Sequence, residues 1–306
     1  MIKLLYKQYY IQEAVIMNKN KDPFKTSITH YSFNAISQIE QETFGVDCPI
    51  VYILSGEKEA YIGETQSAYD RMLQHRRNIR RNTLSKISLI SSDSFNKSAI
   101  LDVENMLITH MHADGKFILQ NSNGGQSRLH KYYQRTIYRG RFEQIWNQLK
   151  KDKLVVHSLF EVTNSEIFKY SPYKTLTIDQ YNIAENLLKD YEKAMRENKK
   201  INIIIKGGAG TGKSLVAIHF INTIVNILND NYDIQNPNES FDSNSLNEKA
   251  ECINNIKKYG NNKIAFVVPV PAFRDTVKKV FKSINAFAEK INLTPYILLN
   301  SEKWEF

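Results

Sequence analysis

Two cysteines in 306 residues, Cys48 and Cys252, stand far apart and in no metal-ligand spacing. That argues against a disulfide framework and a zinc ribbon, and a reducing compartment is the simple inference. No run approaches the roughly 18 consecutive apolar residues that a membrane span requires. Met1–Tyr10 holds neither a long apolar core nor a small-residue cleavage pattern. No internal repeat is present. A soluble cytoplasmic protein with no membrane partner is expected.

What the chain does have is ordinary globular composition, 42% hydrophobic and 24% charged, at a length that suits about two domains. Its formal net charge is +9, and about two thirds of that excess lies in residues 1–150. An uneven basic charge suits a polyanion, and nucleic acid is the commonest. A generally Lys-rich proteome would give the same total.

Four regions emerge. Residues 1–48 form a lead-in with a helix near Phe33–Thr43. Residues 49–150 read as a compact α/β unit. Residues 151–196 read as a connector: a strand-like run Leu154–Phe160, a loop at Tyr170–Tyr173, then an amphipathic helix capped by Thr177. Residues 197–306 begin with a strand Ile201–Ile205, a glycine loop and a helix Ser214–Leu228. An Asn-rich stretch from Asn229 to about Asn262 reads as a surface insertion with little to bury. Buried strands are expected at Ile264–Val268 and over Thr294–Asn300.

In the second region Pro49–Leu54 and Ala60–Gly63 read as a hairpin with one tyrosine on each arm, Tyr52 and Tyr61. Such tyrosines are ordinarily core residues. The next helix starts near Ser67 and carries Arg71, His75, Arg76, Arg77, Arg80 and Arg81. Arg71 and His75 share a face, and the Arg76/Arg80 and Arg77/Arg81 pairs repel at i,i+4, so an anion would relieve this helix. A solvated basic face is the alternative. In the helix Ser98–Met111, Ile100, Leu101, Leu107, Ile108 and Met111 form an apolar stripe with Glu104 in its middle. A carboxylate there is costly unless paired, protonated or metal-bound. Magnesium takes oxygen ligands and often only one or two protein carboxylates, so Glu104 suits it. A structural glutamate paired with an arginine such as Arg71 is equally consistent.

Taken in order, Val51-Tyr52, Tyr61-Ile62-Gly63, Arg71 with His75, Glu104 and a following asparagine resemble the GIY-YIG endonuclease pattern over roughly residues 48–140. The first motif reads Ile-Val-Tyr, which keeps the tyrosine. Asn121 is preferred over Asn123 for the last position. The resemblance implies a small mixed sheet with flanking helices and metal-dependent phosphodiester hydrolysis with Mg2+ or Mn2+. In it Glu104 holds the ion, Arg71 contacts the scissile phosphate and Tyr52 orients or deprotonates water. Tyr61 hydrogen-bonds in the same site, and His75 positions the nucleophile or a phosphate. A tyrosine near pKa 10 serves as a base only if neighbouring cations lower it. Tyr132, Tyr133 and the basic run Lys131–Arg141 would extend the surface for nucleic acid, DNA being favoured over RNA.

Further on, Gly207-Gly208-Ala209-Gly210-Thr211-Gly212-Lys213-Ser214 satisfies the phosphate-loop pattern, between a predicted strand and a predicted helix. The glycines free backbone N–H groups to wrap phosphates. Lys213 would reach the β/γ-phosphates of ATP, and Ser214 would ligate magnesium. Leu176–Gln180 resembles the adenine-reading motif of superfamily 1 helicases, with Gln180 as reader. Val267–Arg274 resembles their strand-then-loop contact with single strands. Residues 170–285 together are similar to the start of a Schlafen-like helicase-type ATPase, an incomplete parallel P-loop sheet. The apolar strand ending in acidic residues that such an ATPase needs is not found, so hydrolysis of ATP is in doubt. The chain is then expected to be a fragment, a natural truncation, or a half that an oligomer or a partner chain completes.

The expected function is thus a metal-dependent endonuclease with an ATP-binding helicase-like portion, by analogy in bacterial defence against foreign nucleic acid. A helicase or translocase fragment, and a non-catalytic nucleotide-sensing subunit, are the alternatives.

Overall fold

The computed structural model describes residues 22, 24–122, 132–230, 232, 243–260 and 271–284. Strand β1 (Ser27–Ser32) leads through a 3-10 turn (Phe33–Ala35) into α1 (Ile36–Glu40). Then come β2 (Ile50–Ser55), β3 (Glu59–Thr65), α2 (Ala68–Arg76), a second 3-10 turn (Ile79–Arg81), β4 (Lys86–Ser91), α3 (Lys97–Asp114) and β5 (Ile118–Leu119). The rest of the described chain is helical: α4 (Arg135–Lys151), α5 (Leu159–Asn164), α6 (Glu166–Lys169), α7 (Ile178–Arg196), α8 (Lys213–Leu228), α9 (Ser243–Tyr259) and α10 (Pro271–Lys282).

The sheet order is β1-β4-β2-β3-β5. All pairs are antiparallel except β3 with β5. Its central strand, β2, is buried along its whole length. A strand's alternation sends successive side chains to opposite faces, and both faces here are covered. Ile50, Tyr52 and Leu54 pack with Leu89, Ile36, Ile39, Ala68 and Met72 on the α1/α2 face. Val51 and Ile53 pack with Ile62, Ile100, Leu107, Phe142 and Trp146 on the α3/α4 face. The chain is therefore mixed α/β, with a five-stranded mixed sheet between helical layers. Helix α3 starts at Asn96, whose side chain accepts from Ala99 N, and stops at Gly115 in the left-handed region (φ 73°).

Helix α8 is the hub of the helical half. Val216 meets Leu176, Ala184 and Leu187; Ile218, Ile221 and Val225 meet Val277, Val280 and Phe281; Ile224 and Ile227 meet Leu188, Ile253 and Ile256. A helix apolar on nearly every side is a buried one. It also reaches the sheet-bearing half. Asn226 Nδ2 donates to Ser122 O at 2.9 Å, and Asn222 Nδ2 lies 3.5 Å from the same carbonyl.

Several expectations are corrected. No strand forms over Ile201–Ile205; this run is irregular, and Ile203 and Ile204 are exposed, with no ladder neighbour among the described residues. The expected strands Ile264–Val268 and Thr294–Asn300 lie outside the described residues. So does the first half of the expected single-strand motif, whose last residues, 271–274, open α10. Leu154–Phe160 is not a strand either. The Asp114 carboxylate takes the N–H groups of Val156 and His157, and a Ser158/Glu161 capping box then starts α5. The Asn-rich stretch is not simply a surface insertion: within it α9 buries Ile253 and Ile256 completely.

Candidate active site

The hairpin and α2 bring four of the expected residues together. Tyr52 sits opposite Gly63 in the β2–β3 ladder. Its Oη accepts from Arg71 Nε at 3.2 Å and lies 2.8 Å from His75 Nε2. Arginine can only donate, so Tyr52 Oη is the acceptor of that bond. Burial pushes the His75 pKa down to about 3, helped by Arg71 and Arg81. The ring is therefore neutral. The Tyr61 ring lies 5.1 Å from His75 and 6.2 Å from Tyr52, centroid to centroid.

Gly63 is required by this packing. A Cβ built there would meet Tyr52 Oη at 2.2 Å and Cζ at 2.4 Å. The phenol cannot retreat, because Tyr52 is wholly buried and held from two sides. Gly63→Ala is expected to dislodge the hydroxyl and destabilise the fold by about 1–3 kcal/mol. Urea unfolding and cleavage assays of that variant check this, and wild-type values in both would refute the role given to Gly63.

Glu104 is buried on the α3 stripe. It has no hydrogen bond or ion pair with any described residue, so the pairing with Arg71 foreseen as an alternative is absent. Burial raises its pKa to about 8, and nearby Glu64 adds to the rise. Lys97 and Arg71 act in the opposite sense, and Lys97 Nζ itself binds Glu64 Oε2 at 2.6 Å. Among the described residues no group of three or more His, Cys, Asp or Glu could hold a metal ion. One buried carboxylate without a protein partner, with a second acid nearby, still fits a hard divalent cation, which keeps most of its shell as water.

Two roles change. Tyr52 is not a cation-activated phenolate, because burial, reinforced by Tyr61, outweighs Arg71 and raises its pKa. Being wholly buried, it positions Arg71 and His75, and the half-buried Tyr61 is the tyrosine nearer solvent. Asn121 spends its amide on the backbone. Its Oδ1 accepts from Ile62 N at 3.1 Å and its Nδ2 donates to Ile62 O at 2.8 Å. This continues the β3–β5 ladder as a strand residue would, so Asn121 fixes the strand that carries Tyr61. Asn123 lies outside the described residues.

No protein-family model, curated protein or solved structure matches this chain.

The basic helix is shorter than expected. α2 ends at Arg76, and Asn78 caps a separate 3-10 turn by accepting from Arg80 N. The Arg76/Arg80 and Arg77/Arg81 pairs are therefore not successive turns of one helix. Instead, Arg81 folds inward over Tyr61, 3.7 Å from its ring centroid to the guanidinium carbon. The sequence pairs Arg81 with Arg77 on a basic helix, and nothing in its spacing marks it as different from its neighbours.

Beyond α3, much of the basic run Lys131–Arg141 is used internally. Asp102 Oδ2 receives Tyr132 Oη at 3.3 Å, Arg135 Nε at 3.3 Å and Arg139 Nε at 3.0 Å. Tyr133 is exposed.

The glycine loop keeps its helix but not its strand. Gly210 and Gly212 have φ of 75° and 84°, a region that favours glycine. Lys213 Nζ folds back onto the carbonyls of Gly207 and Gly208, at 2.8 and 2.7 Å, and Thr211 Oγ1 donates to Gly208 O. Ser214 is half-buried in the first turn of α8, and Ala209 is exposed at the loop tip. Gln180 has both ends of its amide engaged: Oε1 accepts from Thr177 N in a capping box, and Nε2 donates to Thr211 O. Reading adenine would require it to release the loop.

Proposed function

We propose that this chain is a metal-dependent nuclease of the GIY-YIG type whose helical half binds a nucleotide. The observation that carries the reading is Glu104, a carboxylate buried without a partner and electrostatically linked to Tyr52 and Arg71. Mg2+ or Mn2+ held by Glu104 would supply an activated water and neutralise developing charge. The other roles belong to the chain's own groups. Arg71, aimed by Tyr52, grips the phosphate and favours the more highly charged transition state. His75, neutral, shares a hydrogen bond with Tyr52 and keeps the phenol in one rotamer. Phosphate arriving beside Arg71 and Arg81 would offset two of the three causes that depress His75, making the ring more basic when substrate is bound.

For the second site, Gly207–Ser214 would hold the phosphates of ATP, with Ser214 toward its magnesium. Lys213 would exchange two loop carbonyls for phosphate oxygens. Hydrolysis of ATP is not part of the proposal.

The test is cleavage of plasmid DNA, single-stranded DNA and RNA with magnesium or manganese, comparing wild type with Glu104→Gln. Metal-dependent cutting that the substitution removes supports the reading. Cutting that survives it, or no cutting of any substrate, overturns it. Binding of magnesium ATPγS by wild type and its loss in Lys213→Ala tests the nucleotide site separately.

A further inference from the structure

Arg81 is set apart from the other arginines near it. Arg76, Arg77 and Arg80 are exposed, whereas the 3-10 turn carries Arg81 under cover. Its guanidinium lies over the Tyr61 ring, and Nη1 donates to Gln120 Oε1 at 2.6 Å. Its Nε is buried and has no acceptor among the described residues. Arg71 approaches the same tyrosine pair from α2, through Tyr52 Oη. Neither arginine forms an ion pair with a described carboxylate. Their charges act on each other, and both act on His75. Two cations fixed against one pair of rings, neither ion-paired to a described carboxylate, repel. An anion seated there relieves the repulsion and supplies the missing acceptor.

We propose that Arg81 is a second phosphate-contacting residue of this site, closing with Arg71 on the non-bridging oxygens of one backbone phosphodiester. The proposal rests on the nuclease reading and deepens it. The ligand it names is the phosphate backbone, a contact that carries no base sequence. A guanidinium suits the role because it can stack on Tyr61 and still present donors in a fixed fork, which an ammonium cannot.

The experiment compares wild type, Arg81→Lys and Arg81→Met in two readouts. One is the salt dependence of binding to a fluorescein-labelled DNA duplex in calcium, and the other is single-turnover cleavage in magnesium at saturating DNA. Arg81→Met is expected to lower the slope of log K against log salt by about 1 and cleavage by roughly 100-fold. Arg81→Lys is expected to recover the slope, since the charge remains, but only part of the rate, since the fork is lost. An unchanged slope in Arg81→Met overturns the proposal, whatever happens to the melting temperature, because a residue that merely supports Tyr61 would change stability and not counterion release. If wild type cuts nothing, the nuclease reading falls on its own. The slope then still decides whether Arg81 meets phosphate.

Discussion

Replacing Glu104 by glutamine is expected to stabilise the metal-free protein while lowering cleavage by roughly 1,000-fold, the scale of several kcal/mol of lost charge stabilisation. The two effects have one cause. The folded carboxyl has a pKa of about 8 against an ordinary 4.5. A carboxyl whose folded pKa is raised favours folding while protonated. That contribution is complete below about pH 4.5 and is lost as pH rises through 8. By pH 9 the ionised, unpartnered carboxylate costs about 5 kcal/mol. Glutamine keeps the shape without the charge. Glu104→Gln should therefore gain on wild type steadily between pH 5 and 8, with equal stabilities near pH 4.5. Magnesium or manganese should narrow the gap by stabilising the wild type alone. Urea unfolding across that pH range, with EDTA or with cation, gives the answer. Parallel stability curves for the two proteins would mean that Glu104 is satisfied, and its assignment as the ion's ligand would fail.

The second large effect runs the other way with pH. His75, His110 and His112 are all buried, and burial is the first cause that pushes their pKa values to about 3, 4 and 3. His112 is enclosed between Ser171 Oγ at Nδ1 (3.2 Å) and Ser283 Oγ at Nε2 (2.7 Å). His110 lies against Phe142, Trp146 and Phe168. An unfolded histidine takes its proton near pH 6.5, while these hold none until far lower. Their stability contribution is complete above 6.5 and is lost as pH falls toward the folded values. Each should cost about 1.4 kcal/mol per pH unit below 6.5, and Glu104 returns one such share. The net loss is about 3 kcal/mol per unit between pH 6.5 and 4.5. Acid unfolding should begin near pH 6, before most carboxylates titrate. Unfolding free energies that stay flat from pH 6.5 to 5 would refute the neutral buried state. His112→Gln should remove one proton from the slope.

The sequence made the sheet-bearing half legible because strong local patterns coincide there with burial. The hairpin and the α3 stripe carry their periods openly, so Tyr52, Tyr61 and Glu104 could be placed on their elements, and i,i+4 spacing put Arg71 and His75 on one helical face; grouping the five as one site came from the resemblance. What stayed hidden depends on contacts between distant residues. The inward course of Arg81 is set by its stacking on Tyr61, whereas the end of α2 is set locally by Asn78. Asp114 overrides the strand propensity of Leu154–Phe160 from 42 residues away. Asn121 reads as a catalytic polar residue until its amide is seen on Ile62. Other features were present but outweighed. Tyr138, Phe142, Ile145, Trp146 and Leu149 trace the buried stripe of α4, and reading that stretch for charge alone passes over it. Ile253 and Ile256 likewise mark α9 inside a composition that suggests a loop.

The two asparagines of α8 have a consequence for how the molecule comes apart. Asn222 and Asn226 are almost completely buried, and both reach Ser122 O, next to the residue that fastens Ile62. Tyr173 Oη holds the carbonyl of Asn121, and Ser283 closes over His112. Peeling the helical half away would exchange each of these hydrogen bonds for water, at a net loss of about 0.5–1.5 kcal/mol apiece, and would expose the apolar surface packed around them. Heat or denaturant therefore meets a single melting unit that spans both candidate sites, and a protease that nicks between them releases no piece that keeps the tyrosine pair in place.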